Sequence, residues 1–283
     1  MPRRLGQHFL RPAAVERLLR LIDPRPDETF LEIGPGKGAL TLPLAERAAR
    51  VVAVELDARL AADLQQKASA AGFTPAEREG GLGGAPLAPP SSRRAIPRLT
   101  VVPGDALRVD LAALVPRGGR LVGNLPYYVS SPLLRRFLDL RAHVTDLHVM
   151  LQEEVARRVA SPPGSREYGI LSVLYAVWAD VDVPLRFPPS AFAPAPRVSS
   201  AVLRGRFLPH PRVPIDDLDA FELLVKTAFA RRRRTLENNL RDSYPNLKES
   251  LRLLNIEGSR RAETLSVGDF ARLSGALRRG ARS

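Results

Sequence analysis

Hydrophobic and polar positions alternate with two periods in turn along the first part of the chain. Residues 11–22 repeat apolar side chains at helical spacing behind an early proline, Pro12, and predict an amphipathic helix. Residues 29–33 form a short apolar run ending in glycines, which predicts a buried strand feeding a turn. Residues 39–49 read as a helix, 51–56 (VVAVEL) as a second strand and 58–71 as a second helix. Strand, glycine turn, helix and strand in that order begin a doubly wound parallel sheet.

The alternation stops at 72–98, where Gly72, Gly80, Gly81, Gly83, Gly84, Pro86, Pro89, Pro90 and Pro97 crowd together; this reads as an inserted flexible loop. Beyond it, strands are expected at 99–102, 120–123 and 147–151, and helices at 132–140, 153–160 and 170–178. Residues 181–186 and 198–207 read as two late strands that pair as an antiparallel hairpin at the sheet edge. From about Leu208 only helical patterns remain, at 218–230, 233–241, 247–254 and 267–278. The expected organisation is therefore a seven-stranded Rossmann-like α/β domain over 1–207 and a small all-helical domain over 208–283, divided where Pro209, Pro211 and Pro214 cluster.

Composition narrows the function classes. With 283 residues, 45% apolar and 26% charged, the chain has a core for one large domain and a small one. The 43 Lys and Arg against 30 Asp and Glu give +13, which points to a polyanionic partner, nucleic acid first. Only Lys37, Lys67, Lys226 and Lys248 are lysines, so codon bias toward Arg is a competing source of part of that basicity. The absence of cysteine excludes disulfides, Cys-ligated zinc, iron–sulfur clusters and Cys nucleophiles. His8, His143, His148 and His210 are scattered without metal-ligand spacing, so no metal is expected. No run reaches the ~20 apolar residues of a membrane span, and a cytoplasmic protein without a membrane partner is expected.

Three signals fall at consecutive strand ends. Glu32-Ile33-Gly34-Pro35-Gly36-Lys37-Gly38 lies between a strand and a helix, where glycines admit a ligand to the backbone and to free helix N–H groups. Its plain alternative is a tight turn, and its third glycine comes one residue early for the dinucleotide pattern. Glu55 ends the next strand, placed to accept from two ribose hydroxyls; the competing role is a helix N-terminal acid. Gly104-Asp105-Ala106 ends the third, where a carboxylate can accept from an adenine amine or cap a helix. Together they describe a pocket for an adenosine-bearing cofactor without separating NAD from S-adenosylmethionine.

Asn124-Leu125-Pro126-Tyr127 follows the fourth strand. An exocyclic adenine amine is a poor nucleophile because its lone pair is delocalised into the ring. Two acceptors aimed at its protons, the Asn side-chain oxygen and a backbone carbonyl, draw it toward tetrahedral geometry. Pro126 stiffens the turn, and Tyr127 offers a ring for a flipped-out base. A plain β-turn is the alternative reading. Without cysteine, pyrimidine C5 methylation and radical methylation are excluded, whereas direct amine methylation is not.

With these residues, the chain resembles the KsgA family of S-adenosylmethionine-dependent small-subunit rRNA adenine dimethyltransferases. The resemblance covers nearly the whole chain. It runs through Gly6-Gln7-His8-Phe9-Leu10, Glu32–Thr41, Val54-Glu55-Leu56-Asp57, Gly104-Asp105-Ala106-Leu107 and the NLPY turn with Val129-Ser130. It continues through the segment from Phe192 to Val202 and the basic stretch from Ala228 to Leu240. It implies a class I methyltransferase sheet and S-adenosylmethionine as cofactor, held by Gln7, His8, Leu10, Gly34, Gly36, Glu55, Asp105, Ala106 and Asn124. The catalytic loop would be Asn124, Leu125, Pro126 and Tyr127, with Phe192 beside the target base. The implied substrate is a pair of adjacent adenosines near the 3′ end of small-subunit rRNA within a late pre-30S particle, and the enzyme is expected to act as a monomer. Arg231, Arg232, Arg233 and Arg234, read as lying on a helix, would track phosphates; Arg135, Arg136, Arg157 and Arg158 are weaker candidates for the same patch. Glu153 and Glu154 read as a helix N-terminus rather than a catalytic pair. Competing functions are a large-subunit single-adenine methyltransferase, a non-catalytic assembly or transcription factor on the same fold, and an NAD dehydrogenase, which would leave NLPY without a role.

Overall fold

A computed structural model describes residues 8–74 and 98–280. Gln7 and most of the inserted loop lie outside the described residues. The chain forms two compact units.

The first unit comprises Met1–Ala156 and Asp182–Phe207. In chain order its elements begin β1 (Phe9–Leu10), α1 (Pro12–Ile22), β2 (Thr29–Ile33), α2 (Thr41–Ala45), β3 (Arg50–Glu55), α3 (Ala58–Ala70), β4 (Arg98–Pro103), β5 (Gly119–Asn124), α4 (Ser130–Phe137) and β6 (Val144–Gln152). Next come α5 (Glu153–Val159), α6 (Ile170–Trp178), β7 (Ala179–Phe187), β8 (Phe192–Ala193) and β9 (Ser200–Phe207), of which α5 and β7 cross the unit boundaries and α6 belongs to the second unit. The main sheet has seven strands in the order β4-β3-β2-β5-β6-β9-β7. The run from β4 to β6 is parallel, and β9 is antiparallel to β6 from Asp146↔Arg206 to Gln152↔Ser200. The strand order reverses between β3 and β5 on either side of β2, which opens a crevice at their C-terminal ends. Every residue of β2 and β3 is buried, as strands enclosed by neighbours and covered on both faces must be.

The fold departs from the sequence expectation in several details, first in the division itself, since 157–181 belongs to the second unit and not to the expected 1–207 domain. The helix expected over 39–49 is only α2, because the glycine turn runs through residue 40 and the chain leaves the helix again over 46–49. A second, two-stranded sheet joins β1 to β8 through Phe9↔Ala193 and Leu10↔Phe192, drawing the N-terminal segment toward the crevice.

The opposite end of the sheet is fastened by charge. Arg120 at the start of β5 bonds Glu28 at 2.9 Å and Asp146 at 2.8 Å, and its guanidinium lies 5.1 Å from the centre of the Phe30 ring. His148 beside it is buried, and desolvation pushes its imidazole down to about 4, so it is neutral near pH 7.

The second unit comprises Arg157–Val181 and Leu208–Ser283. After α6 it adds α7 (Leu218–Ala228), α8 (Leu236–Leu240), α9 (Leu247–Leu253) and α10 (Val267–Gly280). Tyr168, Phe229 and Phe270 form an aromatic centre, with centroids 6.1 and 6.0 Å apart in successive pairs. Arg231–Arg234 are not helical: all four are exposed in the turn between α7 and α8. The reason is local. Thr235 accepts from the Asn238 amide at 3.3 Å and caps α8 after the arginines, while Asn239 Nδ2 donates to the Ala228 and Arg231 carbonyls and holds the turn.

Candidate active site

The crevice at the ends of β2, β3 and β5 is a cavity lined by His8, Phe9, Leu10, Glu32, Gly34, Gly36, Glu55, Leu56 and the turn from Asn124 to Tyr128. The glycine turn after β2 builds one wall. Gly34 and Gly36 have φ of +72° and +56°, and a Cβ on Gly36 would come 2.9 Å from the Phe9 ring. Only glycine meets both demands. Lys37 lies over the same Phe9 ring, 4.7 Å from its centre.

Glu55 is fixed at the C-terminal end of β3. Its Oε2 accepts from the Gly36 amide and its Oε1 from the Asp57 amide, both at 2.9 Å. The helix-capping role belongs instead to Asp57, which accepts from the Arg59 and Leu60 amides. Each Glu55 oxygen keeps a lone pair, so the carboxylate presents two acceptors to a ligand with neighbouring hydroxyls.

The Asn124 turn is held from both sides. Asn124 Nδ2 donates to the His8 carbonyl at 2.8 Å; a carbonyl can only accept, so the amide orientation is decided and Oδ1 is left as the acceptor. His8 Nδ1 in turn donates to the Pro194 carbonyl at 2.9 Å. The Pro126 carbonyl accepts from the Val129 amide and the Tyr127 carbonyl from the Ser130 hydroxyl. Tyr127 is fixed by a 2.6 Å hydrogen bond between its hydroxyl and Ser200 Oγ, and its ring stacks 5.8 Å from His8 at 26°. Burial pushes the Tyr127 phenol above its ordinary value, so it is neutral at physiological pH.

The structure thus brings His8, Leu10, Gly34, Gly36, Glu55, Asn124, Leu125, Pro126 and Tyr127 to one cavity. It does not bring Phe192 there: the ring is 1% exposed in the core beside Leu10, because the pairing of β8 with β1 turns it inward. Asp105 and Ala106 sit at the end of β4 outside the cavity lining; Asp105 Oδ1 accepts from the Leu107 amide at 2.9 Å and stabilises the turn. Arg136 donates to the Leu107 and Val109 carbonyls and Arg135 pairs with Asp139, so both have structural partners. Glu153 and Glu154 occupy the first turn of α5.

Of the cavity residues that the sequence did not assign to the site, three matter chemically. Phe9 joins through the β1–β8 pairing, a long-range event. Tyr128 stands 59% exposed at the rim, its phenol pushed up by partial burial and by the Asp105 and Glu55 carboxylates. Glu32 is the third: it is 2% exposed, its Oε2 has no hydrogen-bond partner within the protein, and burial pushes its carboxyl up to about 8. An acid inside the apolar run TFLEI was the available signal. Among the described residues, no group of three or more His, Cys, Asp or Glu is placed to hold a metal ion, and no helix is long and apolar enough to cross a membrane.

The chain is similar to known proteins. A family model described as "Ribosomal RNA adenine dimethylase" matches residues 2–75 and 86–278. The chain is 42% identical over 283 residues to "Ribosomal RNA small subunit methyltransferase A" of Geobacter metallireducens, covering 96% of this chain and 94% of that one. It is 39% identical over 278 residues to the protein of the same name from Dichelobacter nodosus, covering 97% and 95%. Among solved structures, a dimethyladenosine transferase from Plasmodium falciparum has the same fold, with a TM-score of 0.71 at 20% identity over 94% of this chain and 96% of that one. The 23S rRNA methyltransferase ErmE gives 0.65 at 25% identity over 95% and 99%.

Proposed function

The chain belongs to the ribosomal RNA adenine dimethylase family, and from that premise we propose that it converts two adjacent adenosines near the 3′ end of small-subunit rRNA to N6,N6-dimethyladenosine. The observation that carries this reading is Asn124, which lines the same cavity as Glu55 and whose Nδ2 is committed to the His8 carbonyl, leaving Oδ1 as its acceptor. Full-length relatives near 40% identity bear the small-subunit name, whereas the large-subunit enzyme ErmE stands at 25%; that favours the small subunit as substrate.

The cavity fits S-adenosylmethionine. Glu55 offers a doubly braced carboxylate to ribose hydroxyls, the Gly34–Gly36 wall admits a close-lying chain, and Leu56 and Tyr128 give an apolar rim at the purine end. Asp105 and Ala106, at the neighbouring strand end, are assigned to the adenine edge. When bound, the cofactor supplies an electrophilic methyl group on sulfur.

Asn124 Oδ1 and the Leu125 carbonyl accept the two protons of the target N6 amine, which localises its lone pair and aims it. Tyr127, a neutral phenol pinned by Ser200, supplies ring surface rather than a base. No strong base is required, because the alkylated amine is cationic and gives up its proton readily. Orientation and electrostatics are the protein's share of the work.

The finer assignments belong to the same reading. The methyltransferase domain is residues 1–207 less the 157–181 segment, which goes with 208–283 in an rRNA-binding domain where Arg231–Arg234 meet phosphates. The substrate is a late pre-30S particle in the cytoplasm, met by a monomer. The test is methyl transfer from S-adenosylmethionine to small subunits isolated from cells lacking this enzyme, with mass mapping of rRNA fragments. Two adjacent dimethyladenosines near the 3′ end are expected. Transfer only to large subunits, or none with cofactor bound, overturns the reading.

A further inference from the structure

The second unit holds a cavity of its own that the methyl-transfer chemistry does not use. Three stretches of chain line it: Gly164, Ser165 and Arg166; Arg232 and Arg233 of the α7–α8 turn; and Arg261 with Glu263. Its volume is about 430 Å³, inside the ~300–1,000 Å³ range of small-ligand sites. The Gly164 amide donates to the Glu263 carbonyl at 2.7 Å, and Arg232 donates to the Arg166 carbonyl, so the three stretches are tied together.

Four guanidinium groups around one cavity call for an anion, but Glu263 does not suit a bare anion. Its side chain is only 20% exposed and is loosely neutralised: Oε1 stands 3.8 Å from Arg261 Nη1. Oε2 is buried without a hydrogen-bond partner within the protein, as is the Ser165 hydroxyl. A lone phosphate would be repelled by this carboxylate and would leave Oε2 unsatisfied. A ligand that suits the whole lining carries N–H donors as well as negative charge.

We propose that this cavity takes an unpaired guanosine nucleotide of the small-subunit rRNA. Guanine N1–H and N2–H2 donate to the Glu263 carboxylate, while its O6 and N7 and the phosphate accept from the arginines. The proposal rests on the rRNA substrate reading above and adds base readout to a surface so far assigned only to phosphates. Guanine is the one base whose Watson–Crick edge presents two adjacent N–H donors, and a carboxylate presents two acceptors. Adenine and cytosine set a ring-nitrogen acceptor beside their amine, and uracil flanks one N–H with two carbonyls. Each would press a lone pair against the carboxylate. Arginine is the favoured partner of guanine O6 and N7. The last torsion of a glutamate is soft, so the carboxylate can turn its edge to the base. A duplex occupies the edge being read, which restricts the ligand to a loop, bulge or end.

The sign of one substitution separates this role from plainer ones. If Glu263 were only a charge among arginines, its removal would strengthen binding to a polyanion. If it only held Arg261, its removal would show as a lower melting temperature. A base reader weakens RNA binding when it is neutralised.

The experiment measures binding of the full chain to small subunits isolated from cells lacking this enzyme, together with kethoxal footprinting. Kethoxal reacts across N1 and N2 of unpaired guanine, the atoms assigned to Glu263. Glu263→Gln turns an NH2 group toward one of those donors. Its Kd for small subunits is expected to rise about 5- to 150-fold, the range for one bidentate base contact. The dependence on salt and the Kd for S-adenosylmethionine stay as in the wild type. At saturating protein, a guanosine protected by the wild type becomes reactive in the variant complex. Glu263→Asp keeps the charge but withdraws it by one methylene; it is expected to lose the same protection, and it carries the test if the Gln variant melts early. Binding by Glu263→Gln equal to or tighter than wild type overturns the proposal, as does weaker binding with the same guanosines protected. An Asp variant that binds and protects like the wild type overturns it, because charge alone is then enough. Wild-type protein that protects no guanosine overturns it too. If the wild type does not bind small subunits at all, the substrate reading itself fails and the proposal falls with it.

Discussion

Replacing Glu55 separates cofactor binding from chemistry. In the free protein its two oxygens each accept one backbone amide at 2.9 Å, from Gly36 and Asp57, and the residue is 6% exposed. Glu55→Gln keeps one acceptor oxygen but turns an NH2 group toward one of those amides, so one charged acceptor is lost to the ligand as well. A hydrogen bond to a charged group is worth about 1.5–3 kcal/mol, which predicts a Kd for S-adenosylmethionine about 10- to 150-fold weaker. Glu55→Ala removes both acceptors and should weaken binding beyond a hundredfold. It also strips two backbone amides of their acceptor, at about 1 kcal/mol each where water can enter, so a Tm lower by several degrees is expected. Calorimetry gives Kd and a thermal melt gives folding on the same samples. Glu55 contributes binding rather than transition-state contacts, so the Gln variant should recover turnover to within a few-fold at saturating cofactor. A Kd within threefold of wild type in both variants, with folding intact, would refute the placement of the ribose on Glu55.

Further outcomes follow from other parts of the molecule. Arg120→Ala leaves Glu28 and Asp146 facing each other without their shared cation; the loss is about 3 kcal/mol, visible as a lower denaturation midpoint, and an unchanged midpoint would contradict the fastening role of Arg120. Replacing Arg232 and Arg233 with Ala should reduce affinity for small subunits and flatten its dependence on salt by about one unit of log–log slope per lost phosphate contact, leaving Kd for the cofactor alone unchanged. Deleting residues 76–85, which the family match passes over, should leave methyl transfer within a few-fold of wild type; loss of transfer with normal folding would give that segment a function.

How much of this was legible in the sequence depends on whether a residue acts through its own strand end or through distant packing. Gly34, Glu55 and Asn124 announce themselves because each is a polar or conformationally special residue directly after an apolar run, where an open sheet binds ligands. Glu32 carries equal chemical weight but sits inside such a run, and only the enclosure of β2 between β3 and β5 turns it into a buried acid. Phe9 and Phe192 depend on a two-residue pairing across most of the chain, which brings the first to the cavity and buries the second. No local pattern encodes that pairing. Arg231–Arg234 fit a helical register in isolation, but the cap at Thr235 outranks propensity and leaves them in a turn. The 157–181 segment joins the second unit through contacts such as the Gly164 amide to the Glu263 carbonyl, which composition alone does not reveal.

The account stands most directly on Asn124 as the acceptor that activates the target amine. The decisive measurement is single-turnover methyl transfer to unmodified small subunits by Asn124→Ala, alongside its Kd for S-adenosylmethionine. The account predicts that transfer is lost by a hundredfold or more, about 2.7 kcal/mol or above in the barrier, while cofactor affinity stays within a few-fold. Transfer at the wild-type rate in that variant would contradict it.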